Sequence, residues 1–326
     1  MRQDEQRSAE ATTRDLLGTL RLPLLCAPMS FVSCLPLTLA CCEAGVMGGW
    51  QGGNVPTIEE FALYLETLEA AAKRAADEGR VFAPHVVNLP VAVARDPGLG
   101  AAKLDLCEAY RAPIVFSCLG DPRELVERVH GWGGVVIHDT VSLRHAEKAI
   151  EAGVDGLMLT CAGAGGQTGS LSPFAFVPRM RRAFDGLLLV GGGIGDAAGI
   201  AGALALGADI AVMGTRFIAT QESGAPSAHK AMIAATDMDD ILPSDRVNGI
   251  AANWLRPSLV QVGLDPDDLP EKRGPRRGGE LPTGVRPWRD VWSAGQSAGL
   301  VDDIPTVAEL VERLERDYRT LTATSR

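Results

Sequence analysis

The 326-residue chain has no uninterrupted apolar run approaching the roughly 18 residues that a membrane-spanning helix needs, so no membrane association is expected. Its opening, Met1-Arg-Gln-Asp-Glu-Gln-Arg7, is too charged for a secretory leader, and the expected location is the cytoplasm. Basic charge is short as well: 31 Lys and Arg stand against 41 Asp and Glu, a formal net charge of -10. Such a surface does not attract phosphate backbones or anionic lipid, so no nucleic-acid partner is expected. Cysteine pairing motifs are missing too. Cys26, Cys34, Cys41, Cys42, Cys107, Cys118 and Cys161 are odd in number and form no C-x-x-C pair, which argues against a zinc site or a disulfide framework. Most of them lie in apolar runs, where a thiol is a small buried hydrophobe; Cys161 alone sits where a loop begins.

What is present is a globular composition, 46% hydrophobic and 22% charged, with 37 glycines suited to tight loops. From Leu24 to Met213 short apolar runs alternate with amphipathic stretches that end in Gly, the pattern of parallel strands and crossover helices. Strands are expected near 24–29, 46–49, 81–89, 113–117, 133–139, 154–161, 186–191 and 209–213. Asp121-Pro122 marks a helix start, a capping Asp followed by a first-turn Pro. Ala-Gly-Val-Asp155 and Leu-Gly-Ala-Asp209 are near-echoes at equivalent helix-to-strand turns, which suggests a repeated βα unit. An α/β fold with eight such units closes as a (β/α)8 TIM barrel; a doubly wound open sheet shares the local pattern, but the unit count and the loops favour the barrel. The expected division is an N-terminal segment 1–22, a barrel 23–220 and a C-terminal helical and loop appendage 221–326. Within the appendage a helix is expected over Ala225–Thr236, a long loop over Pro266–Pro287 and a docked helix over Val307–Tyr318. Residues 1–15 and the last few are expected to be mobile.

In such a barrel the loops that follow the strands form the reactive end. The eighth unit's neighbour ends in Gly191-Gly192-Gly193 and the eighth strand in Met213-Gly214-Thr215, a pair of turns whose main-chain amides and hydroxyl suit a phosphate. Asp196 breaks a full G-x-G-x-x-G, so a dinucleotide reading is weak. Ala27-Pro28-Met29 after the first strand offers backbone groups beneath a flat ring, and Asn88 places an amide at the rim, although a lone Asn there is often a turn former.

The ordered set A-P-M at 27–29, V-N-L at 87–89, A-G-A-G-G-Q-T-G at 162–169, G-G-G-I at 191–194, M-G-T-R-F-I-A-T at 213–220 and A-G-Q-S-A-G at 294–299 resembles the nitronate monooxygenase family. The resemblance runs over about residues 22 to 318 and implies an FMN-containing barrel that oxidises an alkyl nitronate, or a similar stabilised carbanion, with O2. It implies flavin contacts at Asn88, Thr160, Gly165, Gly192, Gly193, Met213, Gly214 and Thr215. Ala27, Pro28, Met29, Asp139 and Gly166 are further candidates for the cofactor site, and Gln296 and Ser297 match a tail segment returning to it.

One position departs from the family. The loop G-G-H-x-G carries the family's active-site His, and here it reads Gly165-Gly166-Gln167-Thr168-Gly169. A Gln amide exchanges hydrogen bonds but accepts no proton near neutral pH, so Gln167 suits orientation of an anion and not general-base work. A neutral nitroalkane is then expected to be a poor substrate and a pre-ionised nitronate a competent one. His138 is the substitute base considered, with Asp139 beside it, and strand alternation sends only one of the two toward the flavin. Asp139 fills a slot where some relatives carry Lys, and an acid there opposes negative charge on reduced flavin. His229, Lys230, Arg256 and the tryptophans 254, 288 and 292 fall in the appendage, with packing the more ordinary role of the tryptophans. Two other functions stay open at this stage: an NAD(P)H-dependent flavin reductase of quinones or enoyl thioesters, and a non-catalytic FMN-binding or scaffold protein. The partners expected are a small-molecule substrate and O2, and a homodimer is compatible with the sequence without being fixed by it.

Overall fold

Runs rich in Val, Ile and Leu that end in Gly, Pro or Asn form strands, because branched side chains suit a pleated surface and the closing residues interrupt it. In the computed structural model, which describes residues 17–275 and 277–323, these runs are β1 (Leu24–Cys26), β2 (Met47–Trp50), β3 (His85–Asn88), β4 (Ile114–Ser117), β5 (Val135–Thr140), β6 (Gly156–Thr160), the two-residue β7 (Gly166–Gln167), β8 (Leu187–Gly191) and β9 (Ile210–Met213). All but β7 pair side by side in the order β1-β2-β3-β4-β5-β6-β8-β9. Strand β1 also pairs with β9, Cys26 opposite Met213, so the parallel sheet closes into the expected barrel.

Two strands are shorter than the apolar runs that announced them. Pro28 has no N–H, and the β1 ladder stops after one further bond, from Ala27 N–H to the Met213 carbonyl at 2.9 Å. Pro84 likewise holds off pairing until His85. The Asp121-Pro122 start is displaced by one residue: Pro122 caps the helix Arg123–Gly131, and the Asp121 carboxylate accepts the Arg123 N–H at 3.1 Å.

Alternation divides each strand between two cores. Leu25, Met47, Val86, Ile114, Phe116, Val135, Ile137, Met158, Leu187, Leu189, Ile210 and Val212 fill the barrel interior. Their neighbours, among them Val87, Val115, Val136, Leu157, Leu188 and Met213, face the surrounding helices. The two echoed turns do equivalent work. Asp155 accepts the N–H of Val136 at 2.8 Å, and Asp209 accepts that of Leu188 at 2.7 Å, so each pins the start of the preceding barrel strand. Fully buried Lys103 donates to the carbonyls of Gly52 and Val55 at 2.9 and 2.7 Å and fixes the loop after β2.

Beyond the barrel, β10 (Ile241–Ser244) and β11 (Ala252–Leu255) are antiparallel, and β7 joins β11 as the third strand of this small sheet. The sequence pattern announces no strand here. The helix expected over Ala225–Thr236 spans Ser227–Ala234, and the helix Arg256–Gln261 has no counterpart among the expected elements. The terminal helix extends over Val307–Ala323, burying Val307, Leu310, Val311 and Leu314, and packs on the helix Ala197–Ala205. The expected mobility of residues 1–15 and of the last few lies outside the described residues. No helix among the described residues is long and apolar enough to cross a membrane.

Candidate active site

The interior row continues past the packed core into the mouth. Val86 is interior and Val87 exterior, so the buried Asn88 is interior again, at the C-terminal end of β3. Its Oδ1 is buried without a hydrogen-bond partner, although a buried acceptor left unpaired costs about 1–3 kcal/mol. By the same parity Asp139 on β5 and Thr160 on β6 point inward, and the Thr160 hydroxyl donates to Asp139 Oδ1 at 2.5 Å. Ala27 packs against the top of the interior cluster, and Phe116, Met158 and Val212 are that cluster's members closest to the mouth.

The glycine turns after β8 and β9 lie beside one another, since the strands pair through Gly191 and Val212. Gly193 is exposed, with φ 73°, a backbone that L side chains avoid, and open space where a Cβ would stand. The amides of Gly192 and Gly193 donate to no acceptor among the described residues. The helix Ala197–Ala205 that follows is already capped, Asp196 Oδ1 accepting from Gly199 N–H at 2.8 Å, so the free amides are those of the turn and not of the helix start. Gly214 lies against Met29 and Ala27: a Cβ there would meet Met29 Sδ at 3.3 Å and the Ala27 Cβ at 3.7 Å. Pro28 contributes its carbonyl, which accepts from Gln51 Nε2 at 3.4 Å. The Met213 side chain points away into the outer core, leaving only its backbone at the rim.

The C-terminal tail closes this ring. Thr215 Oγ1 accepts the Gly295 N–H at 2.8 Å, and the Gly163 carbonyl accepts that of Gln296 at 2.9 Å. Gln296 Oε1 and Gly193 N both lie within 3.5 Å of where a Gly163 Cβ would be, and buried Ser297 packs on Gly195. The loop after β6 is held from the same side: Gly166 N–H donates to Ser293 Oγ at 2.7 Å, and Asn253 Nδ2 to the Ala164 carbonyl at 2.7 Å. Gln167 pairs with Ala252 on β11 and its side chain is exposed. Asn253 and Ser293 were missed from sequence, because their part in the site comes only from contacts with a loop far away along the chain.

His138 is not brought to the mouth. On β5 it shares the outward row with Val136, and its Nδ1 sits 2.8 Å from Ser117 Oγ between barrel and helices. Burial, reinforced by nearby His145, lowers its pKa to about 4, which keeps it neutral. Asp139 has the opposite fate: burial raises its pKa to about 6 despite the opposing Thr160 and Thr140 hydrogen bonds. Cys161 is buried, its thiol pushed up to about 12, and so offers no thiolate. His229 stacks on Trp292 at 5.0 Å, Trp254 stacks on Trp288 at 4.4 Å, and Arg256 pairs with Asp267, so this group packs the appendage. Lys230 donates to the Gln221 carbonyl at 3.0 Å.

A family model described as nitronate monooxygenase matches residues 17–317. A (3aS,4S,5R,7aS)-5-hydroxy-7a-methyl-1-oxo-octahydro-1H-indene-4-carboxyl-CoA dehydrogenase of Rhodococcus jostii is 32% identical over 158 residues, 48% of this chain and 45% of that protein. The match thus spans under half of that relative's length. A nitronate monooxygenase of Paraburkholderia phytofirmans is 27% identical over 93% of this chain and 94% of its own. Among solved structures, nitroalkane oxidase from Streptomyces ansochromogenes has the same fold, with a TM-score of 0.76 at 23% identity over 95% of this chain and 99% of that one. Because the family match begins before β1 and ends inside the terminal helix, taking in barrel and appendage alike, the chain belongs to the nitronate monooxygenase family.

Proposed function

We propose that the protein is an FMN-dependent oxidoreductase of the nitronate monooxygenase type, with an alkyl nitronate or similar stabilised carbanion as substrate and O2 as oxidant. The observation that carries this reading is the buried, unpartnered Asn88 Oδ1 at the same mouth as the Gly192–Gly193 turn, whose two amides have no acceptor among the described residues. A flavin mononucleotide has a ring N–H able to answer that acceptor and a phosphate able to take the free amides. Gly192, Gly193, Gly214 and Thr215 would hold the phosphate, with Gln296 and Ser297 closing over it; Ala27, Pro28, Met29, Thr160, Gly165 and Gly166 would line the remainder. When bound, the flavin would accept electrons from an electron-rich carbon and pass them to O2. Gln167, exposed at the rim, is suited to orient the nitronate oxygens through its amide, and it holds no proton for transfer. Residues 23–220 form the proposed catalytic unit and 221–326 the unit that fastens the loop after β6. The seven free cysteines support a reducing, cytoplasmic setting. Assembly as a homodimer is to be settled by light scattering.

Anaerobic stopped-flow spectroscopy of the FMN-loaded protein tests the reading. Propionate 3-nitronate is expected to reduce the flavin, while NADH and NADPH leave it oxidised. Rapid bleaching by either nicotinamide would instead support a reductase of quinones or enoyl thioesters, the reading favoured by the relative that is named for a carboxyl-CoA substrate. Purified protein that is colourless and takes up no FMN would overturn both and leave a scaffold role.

A further inference from the structure

The carboxyl of Asp139 turns inward at the barrel mouth, and among the described residues it forms no ion pair. Val135 and Ile137 fix the parity that turns it inward while His138 turns out. The Thr160 hydroxyl and the Thr140 amide bind it, two hydrogen bonds against the roughly four that a carboxylate accepts. Acceptor capacity toward the mouth therefore remains. Burial outweighs those two bonds and holds the group about two pH units above an ordinary Asp, which makes its ionised form the better base. The titratable groups around it do not compete. Cys118, after β4, stays a thiol, pushed up to about 12 by burial and then by Asp139 itself, while His138, His145 and Asp121 interact on the outward side of β5.

We propose that Asp139 is the proton-accepting residue of this site, supplying the base that Gln167 cannot. It takes the proton from the carbon bearing the nitro group of a neutral nitroalkane; the C–H bond breaks, an O–H bond forms on the carboxyl, and the electron pair stays on the substrate as the nitronate. This rests on the reading of the site as one for nitronates, and it extends the substrate class to the neutral acids that the loss of His alone would exclude. No oxidant enters this step. Thr160 acts as a positioning residue, holding one carboxylate oxygen and tuning its basicity.

The step is readable apart from oxidation, as loss of deuterium from α-deuterated nitroethane. It is followed by NMR under anaerobic conditions, in flavin-free protein and in flavin-loaded protein with substrate in large excess. Wild-type protein is expected to accelerate exchange, rising with pH through about 6 as the carboxylate forms. Asp139→Asn should lose about 10²-fold of this rate, and by the same factor in flavin-free and in flavin-loaded protein. Thr160→Val, which removes a bond to the ionised form, should move the pH limb upward, a shift that a purely architectural role would not produce. Exchange by Asp139→Asn at the wild-type rate, or by the wild type no faster than by acetate buffer, overturns the proposal. Failure of nitronate to reduce the flavin while exchange still depends on Asp139 would sink the oxidase reading and leave the base assignment standing.

Discussion

Burial moves the titrations of His138 and Asp139 in opposite directions, because each loses the charged form that water would stabilise. For Asp139 the folded value, about 6, lies above the ordinary 3.8, so the folded state holds its proton longer than the unfolded chain does. Stability from this group is therefore full below about pH 4 and lost as pH rises through 6. Asp139→Asn has no charge to bury, and it is expected to be more stable than wild type above pH 6, by on the order of 2–3 kcal/mol, with the gain vanishing near pH 4. Urea unfolding of flavin-free wild type and Asp139→Asn side by side at pH 4 and pH 8 measures this; a difference between the two proteins that does not change with pH would mean that the carboxyl is solvated. Asn88 and the glycine turns were legible because each closes an apolar run. Which of residues 138 and 139 faces inward was not. Val135, Val136 and Ile137 are all apolar, since a barrel strand is buried on both faces, so the alternation that would give parity carries no polar mark.

At the scale of elements, the site depends on segments that touch without room for a side chain. A Cβ on Gly165 would stand 2.7 Å from Gly295 N and 3.0 Å from the Ala294 carbonyl carbon, both backbone atoms that cannot swing aside. Gly165→Ala must push the tail outward and stretch the bond from Gly295 N–H to Thr215 Oγ1, while the barrel strands remain paired. The expected outcome is a folded protein, destabilised by about 1–3 kcal/mol, whose Kd for FMN rises at least about tenfold. Quenching of flavin fluorescence on titration reads the affinity, and far-UV circular dichroism reads the fold. Unchanged affinity would show that the tail's seat is not part of the cofactor site. All eight barrel strands could be located from sequence, because glycine and proline punctuate them, although the expected runs 24–29 and 81–89 overrun β1 and β3. The sheet of β10, β11 and β7 could not. Pro243 interrupts one strand, β7 is two residues long, and their pairing is decided by contacts across nearly ninety positions of chain, such as Asn253 to Ala164.

For the whole molecule, closure of the barrel was the step that local pattern left open, since an open sheet is built from the same βα units. It is settled by β1 taking two neighbours, β2 on one side and β9 on the other. Three histidines, His85 on β3, His138 on β5 and His229 in the appendage, are held neutral, each with its pKa lowered by burial to about 4. Below pH 6.5 the unfolded chain protonates all three while the folded protein does not, so stability must fall with pH between 6.5 and 4. Asp139 works against them over part of this window by taking up a proton in the folded state. At pH 5 the balance of the four groups is an uptake of about two protons on unfolding. Urea denaturation of the flavin-free protein at half-unit pH intervals is expected to show a nearly flat stability from pH 8 to 7 and a steepening loss below 6.5. A flat profile down to pH 5, or one that rises as acid is added, would mean that these histidines meet water in the folded protein.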